Sequence, residues 1–244
     1  MADVEKCYDL GATVVHLHAY KNGHPTWKKS VYHKIIEEIR SRCDIIICVS
    51  TSGRKWDELS KRAEVLHLKG RHKPEMASVT MGSFNFPRQP SINHPNLITG
   101  LLTVMQRFDI KPEFEIFESG MVNYTNYLLR KKVACSEKPY FNFILGSLGT
   151  MSATKADINH LCSGLPDNAI WGATGVGRYQ DSTTKLAVDL KGNVRIGLED
   201  NIWYDDRRKI QATNDLLVGR LRNYAVWKGR KIATPTEARN MLGV

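Results

Sequence analysis

Two histidines lie two positions apart within an apolar run. The segment GATVVHLHAY (11–20) contains His16 and His18, and its composition favours a buried strand. Side chains two apart in a strand point to the same face, so both imidazoles would point the same way. Neutral imidazole is a common zinc ligand, and a catalytic zinc keeps three protein ligands and one open position. Metal binding is one interpretation of this pair, and ordinary core or surface histidines are the other.

A second candidate segment ends in two adjacent carboxylates. In VRIGLEDN (194–201), a predicted strand that contains Arg195 ends at Glu199 and Asp200. Functional groups of α/β barrels collect at the carboxyl ends of the strands. Because neighbouring side chains diverge, Glu199 would reach a metal while Asp200 acts as a base. The alternative is a helix cap at Asp200 or Asn201 together with a structural ion pair to Arg195.

Small hydroxyl residues follow two further predicted strands. The segment VSTSGR contains Ser50 and Thr51, and the segment PEMASVTMGSFNF places Ser78 and Thr80 on one face of a strand. Loops of this composition expose hydroxyls and backbone N–H groups together, which suits an anion or a carbonyl oxygen. They also form ordinary turns, so the pattern leaves both interpretations open.

Two glycine-rich segments follow later predicted strands. LGSLGTMSAT contains Gly146, and GATGVGRYQ contains Gly175. Either segment would allow the phosphates of a cofactor to approach the backbone. Ordinary turns between strands and helices also use glycine, so each pattern is weak alone.

The composition restricts the classes of partner. The chain has 244 residues and a formal net charge of +10, but its basic residues are spread without a block of five or six. No RNA-binding or zinc-finger pattern is present, so we expect a basic surface that attracts phosphorylated small molecules, not nucleic acid. Apolar runs stay far below the roughly 20 residues that span a bilayer, so no membrane partner is expected.

The cysteines and the N-terminal residues predict a compartment. Five cysteines are present, none in a CxxC pair, and the sequence MADVEKCYDL lacks the basic start and apolar core of a signal peptide. An odd, scattered set of cysteines without a secretion signal is typical of free thiols in a reducing environment. We therefore expect a cytoplasmic protein.

Short β-rich apolar runs alternate with amphipathic helical stretches. This alternation predicts a parallel sheet with helical crossovers, and its regular spacing favours a single (β/α)8 TIM barrel over residues 1–244. The dinucleotide-binding and P-loop glycine motifs are missing from the sequence. The predicted strands cover 12–18, 44–50, 76–82, 113–117, 140–145, 169–174 and 194–198. The predicted helices cover 2–11, 27–42, 95–109, 121–132, 153–164, 211–229 and 234–243.

Taken in this order, several segments resemble those of the β-keto acid cleavage enzymes, a zinc-dependent family. The likeness extends from about residue 2 to the last residue, and its specific part is HLH together with the distant RxGxEDN. The segments that resemble the family are GATVVHLHAYKNGHPTW, VSTSGR, KPEMASVTMGSFNF, KPEFEIFESGMV, FNFILGSLGTMSAT, IWGATGVGRYQ, VRIGLEDNIWY and IATPTEARNMLG.

The resemblance implies an activity and a set of roles. Family members are homo-oligomeric (β/α)8 barrels, for which a tetramer is one candidate size, and they convert a β-keto acid and acetyl-CoA into acetoacetate and a new CoA thioester. By position, the zinc ligands would be His16, His18 and Glu199. Zinc would act as a Lewis acid on the substrate's keto and carboxylate oxygens. Asp200 would be the general base, oriented by Arg195 and Ser50.

The remaining site residues follow from the same resemblance. Ser78 replaces the threonine that the family has after EMA, and the hydroxyl group is kept. Thr51, Thr80, Gly146 and Gly175 are expected to contact the substrate or the co-substrate.

One departure concerns the barrel itself. A (β/α)8 chain normally begins with a strand, and family members carry there a glutamate that faces the substrate. This chain begins with a predicted helix, so the first strand is expected to be absent, leaving a gap between the strands of His16 and Glu199 with two unpaired edges. An internal methionine as start, a natural fragment, or a partner chain in the gap would each explain this. The alternative function is a non-catalytic barrel remnant that binds metal or serves as an assembly partner.

Overall fold

A parallel sheet of seven strands forms the centre of the molecule. A computed structural model describes residues 2–52, 55–134 and 136–244 of the chain. The seven strands lie in the sheet in the same order as in the chain, and each is hydrogen-bonded in parallel to the next. Every connection therefore leads to the adjacent strand, always in the same direction across the sheet. This order is that of a (β/α) barrel, whereas a doubly wound sheet reverses direction at a switch point. The strands are β1 (Val14–Leu17), β2 (Ile46–Ser50), β3 (Met76–Thr80), β4 (Lys111–Ile116), β5 (Tyr140–Leu145), β6 (Ile170–Gly175) and β7 (Asn193–Val194).

Helices connect the strands and cover the outer face of the sheet. Two short antiparallel hairpins, Tyr20–Lys21 with His24–Pro25 and Phe84–Asn85 with Pro90–Ser91, extend from the loops. Among the described helices, none combines the length and the apolar character needed to cross a bilayer. The helices are α1 (Ala2–Asp9), α2 (Lys29–Arg40), α3 (Leu59–Arg62), α4 (Pro95–Arg107), α5 (Ser119–Arg130), α6 (Lys155–Ser163), α7 (Gln180–Asp189), α8 (Asn214–Trp227) and α9 (Pro235–Leu242).

Alternation along the strands separates an apolar outer face from a polar inner face. In β4, Phe114 and Ile116 are fully buried in the core between sheet and helices. Glu113 and Glu115 alternate with them and therefore point to the opposite face, inside the curve of the sheet. Buried polar residues from neighbouring strands are Ser50, Ser78, Thr80, Asn142 and Thr174.

The inner face near the amino ends of the strands is apolar and is closed by α9. Ala238 and Leu242 of this helix form a small buried cluster with Ile46, Cys48 and Met76. Helix α9 begins at the predicted start signal, because Thr234 and Glu237 form a reciprocal capping box there. The apolar end thus supports the sheet, and polar groups concentrate at the opposite end.

The sheet curls but does not close among the described residues. β1 pairs with β2, β7 pairs with β6, and the two outer strands do not pair with each other. The curl is strong enough to bring Nε2 of His16 on β1 within 3.8 Å of a carboxylate oxygen of Glu199, which follows β7. The opening lies where the family resemblance places a further strand, and the absence of that strand stays a prediction, as does the single-domain boundary.

The elements differ from the predicted ones in extent and number. The strand predicted over 194–198 is limited to Asn193–Val194, because the chain turns at 197–200 and places Glu199 and Asp200 on this turn. The prediction missed α3 and α7. Helix α7 has the polar sequence QDSTTKLAVD. Its three consecutive hydroxyl residues, Ser182 to Thr184, have low helix propensity, so the sequence did not predict a helix here.

Candidate active site

His16 on β1 and His18 just after the strand point to the inner face and approach each other. Val15 and Leu17 alternate with them and pack against the outer core. The Nε2 atoms of His16 and His18 are 3.2 Å apart. The alternation expected from the sequence is therefore present, and both imidazoles lie at the carboxyl end of the strand.

Glu199 completes a group of three donor atoms. Its Oε1 lies 2.9 Å from Nε2 of His18, and its Oε2 lies 3.8 Å from Nε2 of His16. Donor atoms around a tetrahedral zinc are about 3.3 Å apart, given zinc–nitrogen bonds of about 2.0–2.1 Å. The spacing and the two-imidazole, one-carboxylate chemistry both fit a zinc ion.

Glu113 lies behind His16 and orients its ring. One carboxylate oxygen of Glu113 is 3.4 Å from Nδ1 of His16 and accepts a hydrogen bond from Sγ of Cys48 at 2.8 Å. The other oxygen accepts a hydrogen bond from the amide of Asn142. A proton held on Nδ1 leaves the lone pair of Nε2 free for a metal, which is the arrangement found behind metal-binding histidines.

The buried position of Glu113 controls the charge of this pair. Burial opposes ionisation of Glu113, but His16, Arg195 and Cys48 stabilise the carboxylate and lower its pKa to about 2. Burial and Arg195 disfavour the His16 imidazolium, yet Glu113 and Glu199 outweigh them and raise the pKa of His16 above its ordinary value. Glu113 and Glu199 thus favour positive charge at His16, which is the sign of charge that a bound cation would bring.

Arg195 binds three carboxylates around the site. Its guanidinium contacts Asp200 at 3.1 Å, Glu199 at 2.8 Å and Glu115 at 3.2 Å. Burial disfavours the guanidinium charge, but these carboxylates raise the pKa of Arg195 well above its usual value. Glu115 also accepts a hydrogen bond from the hydroxyl of Thr80 at 2.8 Å. Arg195 is thus a fixed positive charge that sets the positions of both residues of the 199–200 pair.

The two adjacent carboxylates differ in protonation behaviour. Burial raises the pKa of Asp200, and Glu199 adds to this effect against the opposing charge of Arg195. For Glu199, burial acts in the same direction, but Arg195 and the two imidazoles dominate and hold its pKa far below the usual range. Glu199 therefore stays ionised as a ligand would, whereas Asp200 has the higher proton affinity that a base requires.

For segment 194–201, the sequence also allowed a helix cap at Asp200 or Asn201 and a structural ion pair to Arg195, and one of these two features is present. The ion pair between Arg195 and Asp200 is present, but neither Asp200 nor Asn201 caps a described helix. Asn201 instead forms hydrogen bonds with the backbone of Trp203 at 2.7 and 3.1 Å. A second contact to Asp200 comes from the hydroxyl of Thr174 at 3.4 Å.

The predicted hydroxyl residues line the inner face at the ends of β2 and β3. Ser50 and Ser78 are register partners, and both side chains are buried. Oγ of Ser50 accepts a hydrogen bond from the backbone N–H of Ser52 at 3.1 Å. Thr51 donates its hydroxyl to the carbonyl oxygen of Ser78 at 2.6 Å, so Thr51 joins the two strands.

Packing accounts for the two glycines that the sequence analysis selected. Gly146 has a positive φ of 83°, and a Cβ there would lie 2.7 Å from the ring of Tyr179. A Cβ on Gly175 would lie 2.3 Å from the carbonyl oxygen of Tyr179. The turn at 177–179 thus requires both glycines, and their contact with a cofactor stays a prediction.

Several residues of the site were not selected from the sequence. Glu113 and Glu115 lie in the quoted segment KPEFEIF, where two glutamates alternate with apolar residues in a buried strand. That alternation was the available signal, because a carboxylate on a buried strand face requires a partner. Cys48 and Asn142 gave no comparable signal.

The fold and the site together define a barrel-like α/β protein with a His–His–Glu donor set at the carboxyl ends of its strands. The family model described as beta-keto acid cleavage enzyme matches residues 1–244, and the chain belongs to this family.

Similar proteins agree with this assignment. The chain is 35% identical to the 3-keto-5-aminohexanoate cleavage enzyme of Fusobacterium nucleatum subsp. nucleatum, over 99% of this chain and 87% of the relative. It is 30% identical to the 3-oxoadipate:acetyl-CoA acetyltransferase of Cupriavidus necator, over 98% of this chain and 84% of the relative. The apo structure of ObcA has a TM-score of 0.83 at 19% identity, covering 99% of this chain and 63% of that chain, which shows a shared fold.

Proposed function

We propose that this chain catalyses the zinc-dependent reaction of a β-keto acid with acetyl-CoA to give acetoacetate and a new CoA thioester. Family membership and the relatives' activities support the reaction class. The single observation that most supports the catalytic site is the convergence of His16, His18 and Glu199 beside the Arg195–Asp200 pair.

His16, His18 and Glu199 would hold the zinc ion. Bound there, zinc supplies a Lewis acid that stabilises negative charge on the keto and carboxylate oxygens of the substrate. Two further residues would hold the proposed ligands in position. Glu113 presents the Nε2 lone pair of His16, and Arg195 fixes the carboxylate of Glu199.

Asp200 is the proposed general base. Burial gives it a raised pKa, and its contacts to Arg195 and Thr174 fix the carboxylate. It would take a proton from the carbon between the keto and carboxylate groups of the substrate. General-base catalysis of this kind contributes a factor of about 10²–10⁴ to the rate.

The carbon chemistry that follows needs no further protein nucleophile. The enolate carbon attacks the acetyl carbonyl of acetyl-CoA, and the CoA thiolate leaves. The thiolate then attacks the substrate's original keto carbon. The bond that breaks joins this carbon to the newly acylated carbon, which carries the carboxylate. The products are the new CoA thioester and the enolate of acetoacetate, which takes back the proton from Asp200. Ser50 and Ser78 lie buried on the inner face. The hydroxyl of Ser78 would hydrogen-bond the substrate or intermediate, and the orienting of Asp200 by Ser50 stays a prediction. Contacts with substrate or acetyl-CoA are likewise proposed for Thr51, Thr80, Gly146 and Gly175.

The surroundings of the enzyme are proposed on the same basis. Its partners would be small molecules, without nucleic acid or membrane. The chain would act as a cytoplasmic homo-oligomer. The described cysteines, which are Cys7, Cys43, Cys48 and Cys162, are free thiols, and Cys135 lies outside the described residues.

The alternative function is a non-catalytic barrel that binds metal or serves as an assembly partner. The observation that favours it is the opening between β1 and β7 among the described residues, because this opening borders both His16 and Glu199. An active site that requires a closed wall at that position would bind metal without turning over substrate.

The test measures zinc and turnover on the same purified chain. The protein would be incubated with acetyl-CoA and either 3-keto-5-aminohexanoate or 3-oxoadipate, the two β-keto acids in the names of the relatives above, with acetoacetate and CoA thioesters quantified. We expect one tightly bound zinc per site and turnover of at least one β-keto acid. Glu199→Gln should lose the zinc held by His16, His18 and Glu199, whereas Asp200→Asn should keep that zinc and lose about 10²–10⁴-fold in rate.

A matched control is Asp189→Asn, a substitution of the same type at an outer position where the carboxylate binds Tyr224 and Lys228. It should change neither zinc content nor rate. Zinc binding without turnover would favour the non-catalytic alternative, and an unchanged rate in Asp200→Asn would remove that residue from the mechanism. A chain that binds no zinc would contradict the proposed reaction and would leave only the assembly role of the alternative.

A further inference from the structure

We propose that His33, Glu37 and His72 form a second metal site, selective for zinc and similar late first-row divalent ions, on the outer face of the barrel. His33 and Glu37 lie on α2, and His72 belongs to the 3₁₀ turn Gly70–His72 before β3. We call these three residues the α2 cluster. The cluster shares no residue with the candidate active site.

The spacing along the chain brings two ligands onto one helix face. His33 and Glu37 are four residues apart on α2, so their side chains project from the same side one turn apart. His72 approaches from a separate element, and its ring stacks on that of His33 with centroids 3.8 Å apart and planes inclined by 23°. Nε2 of His72 lies 3.8 Å from Oε1 of Glu37.

The ligand atoms are close to a chelating arrangement. One donor atom from each residue of the α2 cluster lies within 4.8 Å of the other two. Coordination requires about 3.3 Å between donors, so the longest of these distances must shorten by up to about 1.5 Å. The side chain of Glu37 is 53% exposed, so a change of its rotamer has room to bring the carboxylate closer to the histidines.

Nε2 of His72 supplies an independent indication. This atom is buried, and within the described part of the chain it has no hydrogen-bond partner. Buried polar nitrogens are nearly always paired with protein, water or an ion. Because Nε2 faces the carboxylate of Glu37 across 3.8 Å, an ion between them would satisfy both groups.

The donor set determines the class of ion. Two imidazoles and one carboxylate suit zinc, copper or nickel, whereas calcium and magnesium prefer oxygen ligands throughout. Three protein ligands on a partly exposed surface leave room for water as the remaining ligand. An ion here would join α2 to the segment that leads into β3.

Nearby charge makes this site weaker than the first. Arg71 precedes His72, and Arg40 lies on α2 close by. Arg40 is already paired with Glu75 at 2.8 Å, which reduces its effect on a cation. We therefore expect the α2 cluster to bind zinc less tightly than His16, His18 and Glu199.

The test counts zinc ions in the full-length chain. After removal of metal with a chelator, zinc binding would be followed by calorimetry and by elemental analysis after dialysis. We expect two equivalents for the unmodified chain, of which the weaker is lost in a Glu37→Gln, His72→Phe double variant. Phenylalanine preserves the ring stacking on His33 but offers no ligand, so folding should be retained.

Two comparisons distinguish zinc binding at this site from zinc binding at the proposed active site. One uses the Glu199→Gln variant, and the other uses the double variant alone. In Glu199→Gln, one equivalent should remain, and adding Glu37→Gln and His72→Phe should remove it. The double variant alone should keep its rate of acetoacetate formation, and His160→Ala, at an exposed histidine on α6, should keep both equivalents. If the double variant binds as many zinc equivalents as the unmodified chain, the proposal is overturned, whatever the outcome for catalysis.

Discussion

Glu113 and His16 are 97 positions apart in sequence but lie in contact, with 3.4 Å between Nδ1 of His16 and a carboxylate oxygen of Glu113. The buried carboxylate fixes which imidazole nitrogen carries the proton, and the amide of Asn142 and the thiol of Cys48 fix the carboxylate in turn. At the scale of single residues, a ligand is thus defined by the group behind it as much as by its own type.

We predict that Glu113→Gln weakens zinc binding by about 10–100-fold, as is typical when the group behind a metal-binding histidine is changed. Glutamine has the same shape, but it removes the negative charge that holds the Nδ1 proton of His16. Competition with a chromophoric chelator measures the affinity. The matched control is Glu118→Gln, at a partly buried glutamate before α5, which should leave affinity unchanged. Equal affinities for Glu113→Gln and the unmodified chain would show that Glu113 has no orienting role.

At the scale of elements, helix α9 shows how a local signal supports a distant site. The hydroxyl of Thr234 accepts a hydrogen bond from the N–H of Glu237 at 3.2 Å, and the Glu237 carboxylate accepts one from the N–H of Thr234 at 2.8 Å. Gly243 ends the helix with a φ of 73°. The capped helix buries Ala238 and Leu242 beneath the sheet.

Thr234→Ala should lower the free energy of unfolding by about 1 kcal/mol, which corresponds to a fall in Tm of roughly 2–4 °C for a chain of this size. The physical reason is the loss of the hydrogen bond to an otherwise unpaired N–H at the helix start. Thr213→Ala is the control, because Thr213 precedes α8 without a side-chain hydrogen bond to that helix's backbone. Thermal unfolding followed by circular dichroism measures both variants. Equal falls in Tm would show that the capping box has no specific effect.

For the whole molecule, the two ends of the sheet have different electrostatic character. At the end opposite the candidate active site, a groove of about 800 Å³ is lined by several basic residues, among them Lys111 and Lys138. Lys111 begins β4 and donates hydrogen bonds to Oγ of Ser136 at 3.1 Å and to the carbonyl oxygen of Lys138 at 2.6 Å. Burial, with a smaller contribution from Lys138, lowers the pKa of Lys111 to about 8.

This shift predicts a specific dependence of stability on pH. Between about 8 and the ordinary value of 10.5, Lys111 is protonated in the unfolded chain but largely neutral in the folded chain. The unfolded state then binds more protons, so the contribution of Lys111 to stability rises with pH across this window. Urea unfolding from pH 7 to 10 should show a smaller rise for Lys111→Met than for the unmodified chain. Lys69→Met, at an exposed position, should follow the unmodified chain. Identical profiles for all three proteins would contradict the lowered pKa.

Much of the fold followed from short-range pattern. The apolar run at Ile46–Ser50, the strand Tyr140–Leu145 and the start of α9 at Thr234 were predicted close to their observed bounds, because propensity, alternation and capping act over a few residues. The 194–198 strand was predicted too long, because the turn that ends it is stabilised by contacts to distant residues. One of these is the hydrogen bond that the backbone N–H of Leu198 donates to the side-chain oxygen of Asn214 at 2.9 Å.

The sequence by itself determined the alternation of strands and helices, the shared face of His16 and His18, and the family to which the chain belongs. The tertiary structure alone decided which distant groups meet: Glu113 behind His16, Glu115 on Arg195, and His72 against α2. Those contacts depend on the order, register and curl of the strands, which are set by packing over the whole chain. Local periodicity shows where a side chain points, but only the path of the backbone through the whole fold determines what it meets there.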